Sequence, residues 1–147
     1  LYSSEKMQNQ FVDIFTDFGG FGRNVRTVFR SFSHVQNLSL TLRLSSEEQL
    51  RASEYVLSFQ NLQSLTLERF KGEIDKYEAL GDIPRVTLVS LETKNIKCLG
   101  RKNRYVELNM CYNVEDVSSL KNVPVVTIIR CPGIKNMEVL GDVPRLK

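Results

Sequence analysis

A unit of about 20 residues recurs from residue 62 onward, and this period constrains the fold more than any other feature of the sequence. Each copy contains the pattern apolar-x-apolar-x-x-apolar, and in the two most regular copies the last position is Cys111 or Cys131. The first apolar residues of the pattern are 21, 20 and 20 positions apart, at Leu65, Val86, Val106 and Val126. Because four copies keep this register, we expect one structural unit to repeat along the chain.

The spacing within each copy predicts its local structure. The opening alternation of apolar and other residues predicts a short strand with one buried side. Apolar residues then come at every third position, as at Val114 and Val117, which fits a 3₁₀-like or irregular segment that runs back along the unit. Prolines near the ends of copies (Pro84, Pro124 and Pro144) stop any helix and favour an extended chain. One copy cannot bury its apolar side alone, so neighbouring copies must stack into a continuous core.

This pattern resembles that of leucine-rich repeat proteins, Leu-x-x-Leu-x-Leu-x-x-Asn/Cys-x-Leu, most closely over residues 103–134 and in part over 62–70. The resemblance extends over residues 35–147. It implies an α/β fold: a leucine-rich repeat solenoid with a short-strand parallel sheet on its concave face and a helical N-terminal cap. It also implies that Cys111 and Cys131 point inward, as buried thiols that bond the backbone.

The chain departs from the family pattern in two places. Phe70 and Leu91 stand where asparagine or cysteine is usual. The segment Lys102, Asn103 and Arg104 is polar where apolar residues should follow, so we expect that copy to bulge outward.

The composition changes near residue 35, which predicts a boundary there. The stretch between Tyr2 and Asn37 contains no leucine but holds six of the eight phenylalanines, whereas leucine dominates from Leu38 onward. We therefore predict a Phe-rich, mostly helical N-terminal module or cap over residues 1–34 and leucine-rich repeats over residues 35–147.

Apolar spacing further predicts a helix over residues 11–18, a second over 21–32 and a third over 45–60. The third helix belongs to an irregular first repeat, in which Leu38 aligns with Leu65 at a step of 27. Regular repeats then start near residues 62, 83, 103 and 123, and a further copy begins at Pro144 and is truncated at 147.

The cysteine and histidine content argues against catalytic and metal-binding chemistry. The chain has three cysteines without a Cys-x-x-Cys pair, and His34 is the single histidine. This set supports neither a disulfide framework, nor a zinc site, nor a catalytic constellation, so we expect no enzyme, no cofactor and no metal. Cys111 and Cys131 lie one repeat apart, and adjacent strands are about 4.8 Å apart, which a disulfide could also span.

Charge and hydropathy limit the classes of partner. Twenty Lys and Arg residues against 17 Asp and Glu residues give a net charge of +3, which is too weak to indicate nucleic acid. Arg23, Arg26 and Arg30 share one side of the helix predicted over 21–32, which fits either a solvent-facing side or phosphate contact. No apolar run approaches about 18 residues, so we expect no membrane span. The cysteine content favours a reducing compartment, and we expect an intracellular, cytoplasmic location.

Outward residues of successive strands should align into columns across the predicted sheet. Val89, Met110 and Ile129 are apolar at outward positions, where no core would cover them. We therefore predict a partner-binding surface that comprises Glu68, Arg69, Val89, Glu107, Asn109, Met110, Ile129 and Arg130.

The sequence favours a non-enzymatic protein–protein interaction module that uses this concave face, with no small-molecule substrate. Two alternatives remain. The chain fits a structural subunit of a larger assembly, because six phenylalanines in a short module need a neighbour to bury them. It also resembles the repeats of F-box-type substrate adaptors for ubiquitin transfer, although residues 1–40 contain no Leu-Pro-led F-box.

Overall fold

A computed structural model describes residues 62–70 and 72–147 of the chain and, further upstream, two strands. The strands are β1 Phe11–Ile14, β2 Leu38–Arg43, β3 Leu62–Glu68, β4 Arg85–Val89, β5 Tyr105–Asn109, β6 Val125–Ile129 and β7 Arg145–Leu146. The described residues include three 3₁₀ helices, Glu78–Asp82, Ser118–Leu120 and Met137–Leu140.

The seven strands form one parallel sheet whose spatial order is the order of the sequence. Parallel neighbours require a crossover connection. Between β3 and β7 these crossovers are the return segments, residues 72–84, 91–104, 111–124 and 131–144. The predicted parallel sheet is confirmed, and the helices of the described return segments are the short 3₁₀ turns that the three-residue spacing predicts.

The strand register confirms the predicted 20-residue period from β3 onward. Leu65 pairs with Val86, Val86 with Val106, and Val106 with Val126. Val126 pairs in turn with Leu146 of β7. Because side chains alternate along a strand, this register places each inward residue beside its counterpart in the next repeat.

The predicted alignment of the irregular first repeat is wrong. The structure pairs Leu40, not Leu38, with Leu65, so the step is 25 rather than 27. The register also shifts between Leu38 and Ser39. A shift of two residues leaves every side chain on the same face of the sheet, so apolar alternation alone cannot distinguish the two alignments.

The helix predicted over residues 11–18 is also wrong for its first four residues. Residues Phe11–Ile14 form strand β1, and Val12 pairs with Leu40 of β2. A short apolar run fits both helical and strand periodicity, and here pairing with β2 selects the strand. The remainder of that helix and the helices predicted over 21–32 and 45–60 lie outside the described residues.

The core lies between the sheet and the return segments and is built from aligned apolar residues. The inward residues of the strands are fully buried from β3 to β5, namely Leu65, Leu67, Val86, Leu88, Val106 and Leu108. The residue two positions after each strand turns into the core as well, and these are Phe70, Leu91, Cys111 and Cys131. Burial of an apolar side chain of this size stabilises a fold by about 1.5–3 kcal/mol.

In the polar segment that was expected to bulge outward, Asn103 is instead buried in the core, whereas Lys102 and Arg104 are exposed. Asn103 is 4% exposed, and its amide nitrogen donates to the carbonyl oxygens of Leu80, at 3.0 Å, and of Ile83. Its side-chain oxygen accepts the N–H of Gly100 at 2.7 Å. A polar side chain is stable at a buried position when its hydrogen bonds are made, and here the backbone supplies all three partners.

Thr93 is a second buried polar residue in the same return segment. Its hydroxyl accepts the N–H of Ile74 at 3.2 Å and contacts the Glu73 carboxylate at 2.8 Å. Thr93 thus links the return segment of one repeat to that of the preceding repeat.

Candidate interaction surface

The side of the sheet that faces away from the core, here called the outer sheet face, carries the predicted columns. One column contains Thr66, Thr87, Glu107 and Thr127, and the next contains Glu68, Val89, Asn109 and Ile129. The register confirms that outward residues of successive strands align into columns, and within them Thr127 is buried whereas Ile129 is exposed.

The residue that follows each strand adopts a left-handed backbone conformation. The φ angles are 59° at Arg69, 55° at Ser90, 55° at Met110 and 52° at Arg130. The first three of these residues each donate their N–H to the last residue of the neighbouring strand at 2.9 Å, which extends the sheet ladder by one bond. A left-handed conformation costs a non-glycine residue about 1–2 kcal/mol, and here it turns the chain inward toward the buried residue that follows.

The sequence pattern predicts Arg69, Met110 and Arg130 on the outward surface but does not predict this turn. Left-handed positions are usually signalled by glycine or asparagine, and neither residue occurs there in the described repeats. The signal that could have revealed the turn is indirect. The third inward residue of the pattern comes three positions after the second rather than two, so one residue must reverse the alternation.

An apolar patch lies where strands β4 to β6 end, and we define it as Val89, Met110 and Ile129. Val89 and Met110 are half-buried, whereas Ile129 is 38% exposed and Tyr112 is 57% exposed. Met110 lies directly beside Ile129 because its N–H donates to the Ile129 carbonyl. The exposure of Tyr112 was not predicted, because Tyr112 lies beyond the end of β5 at a position where the repeats share no residue type.

A polar network occupies the middle of the outer sheet face. The hydroxyl of Tyr105 donates to the Glu107 carboxylate at 2.7 Å, and the guanidinium of Arg85 lies 4.1 Å from the centre of the Tyr105 ring. The predicted partner-binding residue Glu107 is therefore already hydrogen-bonded within the chain. These contacts orient the Arg85, Tyr105 and Glu107 side chains within the chain.

The two arginines of the predicted surface, Arg69 and Arg130, lie three strands apart. Arg69 follows β3 and Arg130 follows β6, three strand spacings or about 14 Å apart. Both side chains are exposed, and neither makes a hydrogen bond or an ion pair with another described residue. The structure therefore brings Val89, Asn109, Met110 and Ile129 together and places Glu68 with Arg69 at the end of β3, away from Arg130.

Cys111 and Cys131 occupy the same position in successive repeats and have a structural role. The Cys111 thiol donates to the Leu88 carbonyl at 3.5 Å, and the Cys131 thiol contacts the Leu108 carbonyl at the same distance. Each thiol thus reaches back to the preceding repeat, as the family resemblance implies. Contact with Cys131 and burial raise the pKa of the Cys111 thiol, which keeps it protonated at neutral pH.

A groove of about 250 Å³ lies among the return segments and is lined by Asp75, Glu78, Lys97, Cys98 and Arg101. Cys98 is half-buried, whereas Cys111 and Cys131 are buried, and its sulfur lies 3.6 Å from the Ile74 carbonyl oxygen. Burial and the nearby carboxylates of Asp75 and Glu78 raise the pKa of Cys98 to about 12, so it is a poor nucleophile at neutral pH.

Within residues 62–70 and 72–147, no group of three His, Cys, Asp or Glu side chains is placed to hold a metal ion. The same part of the chain contains no helix of the length and apolar character that crossing a membrane requires. Comparisons of the chain with protein-family models, with curated proteins and with solved structures found no match.

Proposed function

We propose that residues 35–147 form a leucine-rich repeat solenoid with the parallel sheet on its concave face. Three observations support this assignment. The strands follow one another in sequence order, and their pairing repeats every 20 or 21 residues from Leu65 to Leu146. The thiols of Cys111 and Cys131 are buried and contact the preceding repeat. We also propose that residues 1–34 cap the first repeat. Support for the cap is the pairing of β1 with β2, which extends the sheet into this module.

The function proposed for the chain is non-enzymatic protein–protein interaction through the outer sheet face, in a reducing, cytoplasmic setting. The observation that carries this proposal is the apolar patch, above all the exposure of Ile129 beside Met110. Outward residues of a solvated sheet are normally polar, so exposed apolar residues at these positions favour a surface that a second protein covers.

The test is a double variant that changes the patch without touching the core, Ile129→Asp with Arg130→Glu. A matched control places the same changes in the return segments, Met137→Asp with Lys121→Glu, because Met137 is 39% exposed and Ile129 is 38% exposed. Each tagged chain is used to capture partners from cell extract, which are then identified by mass spectrometry.

We expect a partner that the wild type and the control retain and that the patch variant loses. The melting temperature of the patch variant should stay within about 2 °C of the wild type, because exposed positions contribute little to stability. Equal capture by the wild type and the patch variant would overturn the proposal.

A structural subunit of a larger assembly is the second candidate, and a separate observation favours it. Six of the eight phenylalanines lie between Tyr2 and Asn37, and so many phenylalanines in a short module favour a neighbouring chain that buries them. Size-exclusion chromatography of the purified chain separates the two functions. A soluble monomer supports the interaction module, and a chain that is soluble only with a co-purifying protein supports the subunit.

A further inference from the structure

Charge is distributed unevenly across the outer sheet face. Two arginines lie at its β7 side: Arg130 directly follows β6, and Arg145 is the first residue of β7. Neither strand contains a carboxylate. Arg145 pairs with Val125 and therefore continues the outward column that contains Tyr105. Both arginines are exposed and make no hydrogen bond or ion pair with other side chains of the described residues.

The acidic residues of the face lie elsewhere or are already bound. Glu107 accepts the hydrogen bond of Tyr105, next to the Arg85 guanidinium, and Glu68 lies at the end of β3, three strands away from β6. Asp13 belongs to β1, five strands away from β6. Among residues 72–147, the remaining carboxylates belong to the return segments and are Glu73, Asp75, Glu78, Asp82, Glu92, Glu115, Asp116, Glu138 and Asp142. The part of the outer sheet face that β6 and β7 form is thus cationic, and it lies beside the apolar patch.

The spacing of the two arginines indicates the shape of an occupant. Arg145 lies level with Val125 at the start of β6, and Arg130 lies five residues further along the strand direction. Five extended residues span about 16 Å. Ile129, at the end of β6, and Met110 beside it form an apolar contact point next to Arg130.

We propose that the partner segment is an extended acidic peptide. Its carboxylates, about five residues apart, pair with Arg130 and Arg145, and an apolar side chain between or beside them packs on Ile129 and Met110. Guanidinium groups without an internal partner favour carboxylates, which they bind in bidentate geometry. This inference rests on the proposed function, since it names the chemistry of the partner for that same face.

The experiment selects peptides from a random 12-residue phage library against the full chain. Selected peptides are synthesised with a fluorescent label and titrated by anisotropy against the wild type and against the variants Arg130→Glu, Arg145→Glu and Ile129→Asp. Lys121→Glu is the matched control, because it makes the same type of charge change at an exposed position in a return segment.

We expect the selected peptides to carry a net negative charge and at least one apolar residue near the acidic positions. Arg130→Glu and Arg145→Glu should each weaken binding by about tenfold or more, because repulsion replaces attraction across the interface. Exchange of one peptide carboxylate for lysine should restore binding to one of these two variants. Lys121→Glu should change affinity by less than about twofold.

Two other outcomes separate the failure of this inference from the failure of the proposed function. Neutral or basic peptides whose binding is lost in Ile129→Asp would overturn the acidic partner but retain the interaction surface. No enrichment, or peptides that bind all variants equally, would overturn both.

Discussion

In the return segments, polar side chains bind the backbone of the neighbouring repeat, whereas on the outer sheet face several do not. The Glu73 carboxylate accepts the N–H groups of Lys94 and Asn95, about 20 residues away. Arg130 and Arg145, by contrast, make no hydrogen bond or ion pair with other side chains of the described residues. The two sides of each repeat thus differ: side chains of the return segments join neighbouring repeats, whereas the outer sheet face leaves Arg130 and Arg145 exposed.

Further side-chain hydrogen bonds join the return segments of neighbouring repeats. The Asn136 side-chain oxygen accepts the N–H of Val117 at 3.0 Å, and its nitrogen donates to Asp116 at 2.7 Å. The Ser119 hydroxyl donates to the Ile96 carbonyl at 3.1 Å. If the comparison is right, changes in the return segments should alter stability and leave binding intact, and changes on the outer sheet face should do the reverse.

The largest effect on stability should come from Gly100→Ala. Gly100 has a φ of 106°, and a Cβ atom there would collide with the Ser119 carbonyl oxygen of the next repeat. We expect a loss of about 4 kcal/mol in the free energy of unfolding, measured by urea denaturation. Gly141→Ala is the control, since its φ is −57° and the added atom would lie 3.4 Å from the nearest neighbour, the Glu138 carbonyl oxygen. A comparable loss in both variants would contradict this account of repeat contact.

Asn103→Ala should produce the next largest effect. It leaves two buried carbonyl oxygens and the Gly100 N–H without partners, which we expect to cost about 3 kcal/mol. The control is Asn113→Ala, because Asn113 is exposed and makes a single bond to the Glu92 carbonyl. Thermal denaturation monitored by circular dichroism should show a much smaller shift for the control. If the two shifts are equal, Asn103 does not hold the adjacent repeats together.

Glu73→Gln should have a smaller effect that depends on pH. Partial burial opposes ionisation, but the N–H of Lys94, the Thr93 hydroxyl and the N–H of Asn95 hold the pKa of Glu73 below its ordinary value of 4.5. The folded state therefore favours the ionised carboxylate. The wild type should exceed the variant by roughly 1 kcal/mol at neutral pH, a value discounted because the side chain is exposed.

This advantage should be present above pH 4.5 and disappear as the pH falls below that value, since protonation of Glu73 removes it. Denaturation curves at pH 7, 5 and 3 measure the difference. Glu115→Gln serves as the control, because Glu115 forms only an exposed ion pair with Lys135 at 3.2 Å and should contribute less than about 0.5 kcal/mol. A difference for Glu73→Gln that does not change with pH would show that its charge is not involved.

Ser90→Gly should have the smallest effect and the opposite sign. Ser90 has a φ of 55° at the end of β4, a conformation that glycine adopts without strain, so stability should rise by about 0.5–1 kcal/mol. The same change at Ser118, the first residue of a 3₁₀ helix, should lower stability. A decrease in both variants, measured by urea denaturation, would mean that the left-handed position is not strained.

The sequence predicts the strand register because its signal is a period that physical stacking requires. Apolar residues at Leu65, Val86, Val106 and Val126 must align for neighbouring repeats to share a core, and the pairing follows. Where the signal is alternation alone, as at Leu38, it fixes the face of the strand but not the pairing partner.

Other features could not be predicted from the sequence, because they depend on which backbone groups of the neighbouring repeat need a hydrogen-bond partner. Asn103 looks like a surface residue in the sequence, and only the structure shows that the Leu80 and Ile83 carbonyls would be unpaired without it. In the candidate surface, the outward columns follow from side-chain alternation, whereas Tyr112 and the left-handed turn at Met110 lie where the alternation ends.

The central claim is that the outer sheet face binds a partner and the return segments do not. The most direct measurement is a methyl NMR titration of the full chain, labelled at isoleucine and methionine methyl groups, with an acidic peptide selected against it. The account predicts shifts at Met110 and Ile129, with Met137 and the buried Ile74 of the return segments unchanged. Shifts at Met137 or Ile74 without shifts at Met110 and Ile129 would contradict it.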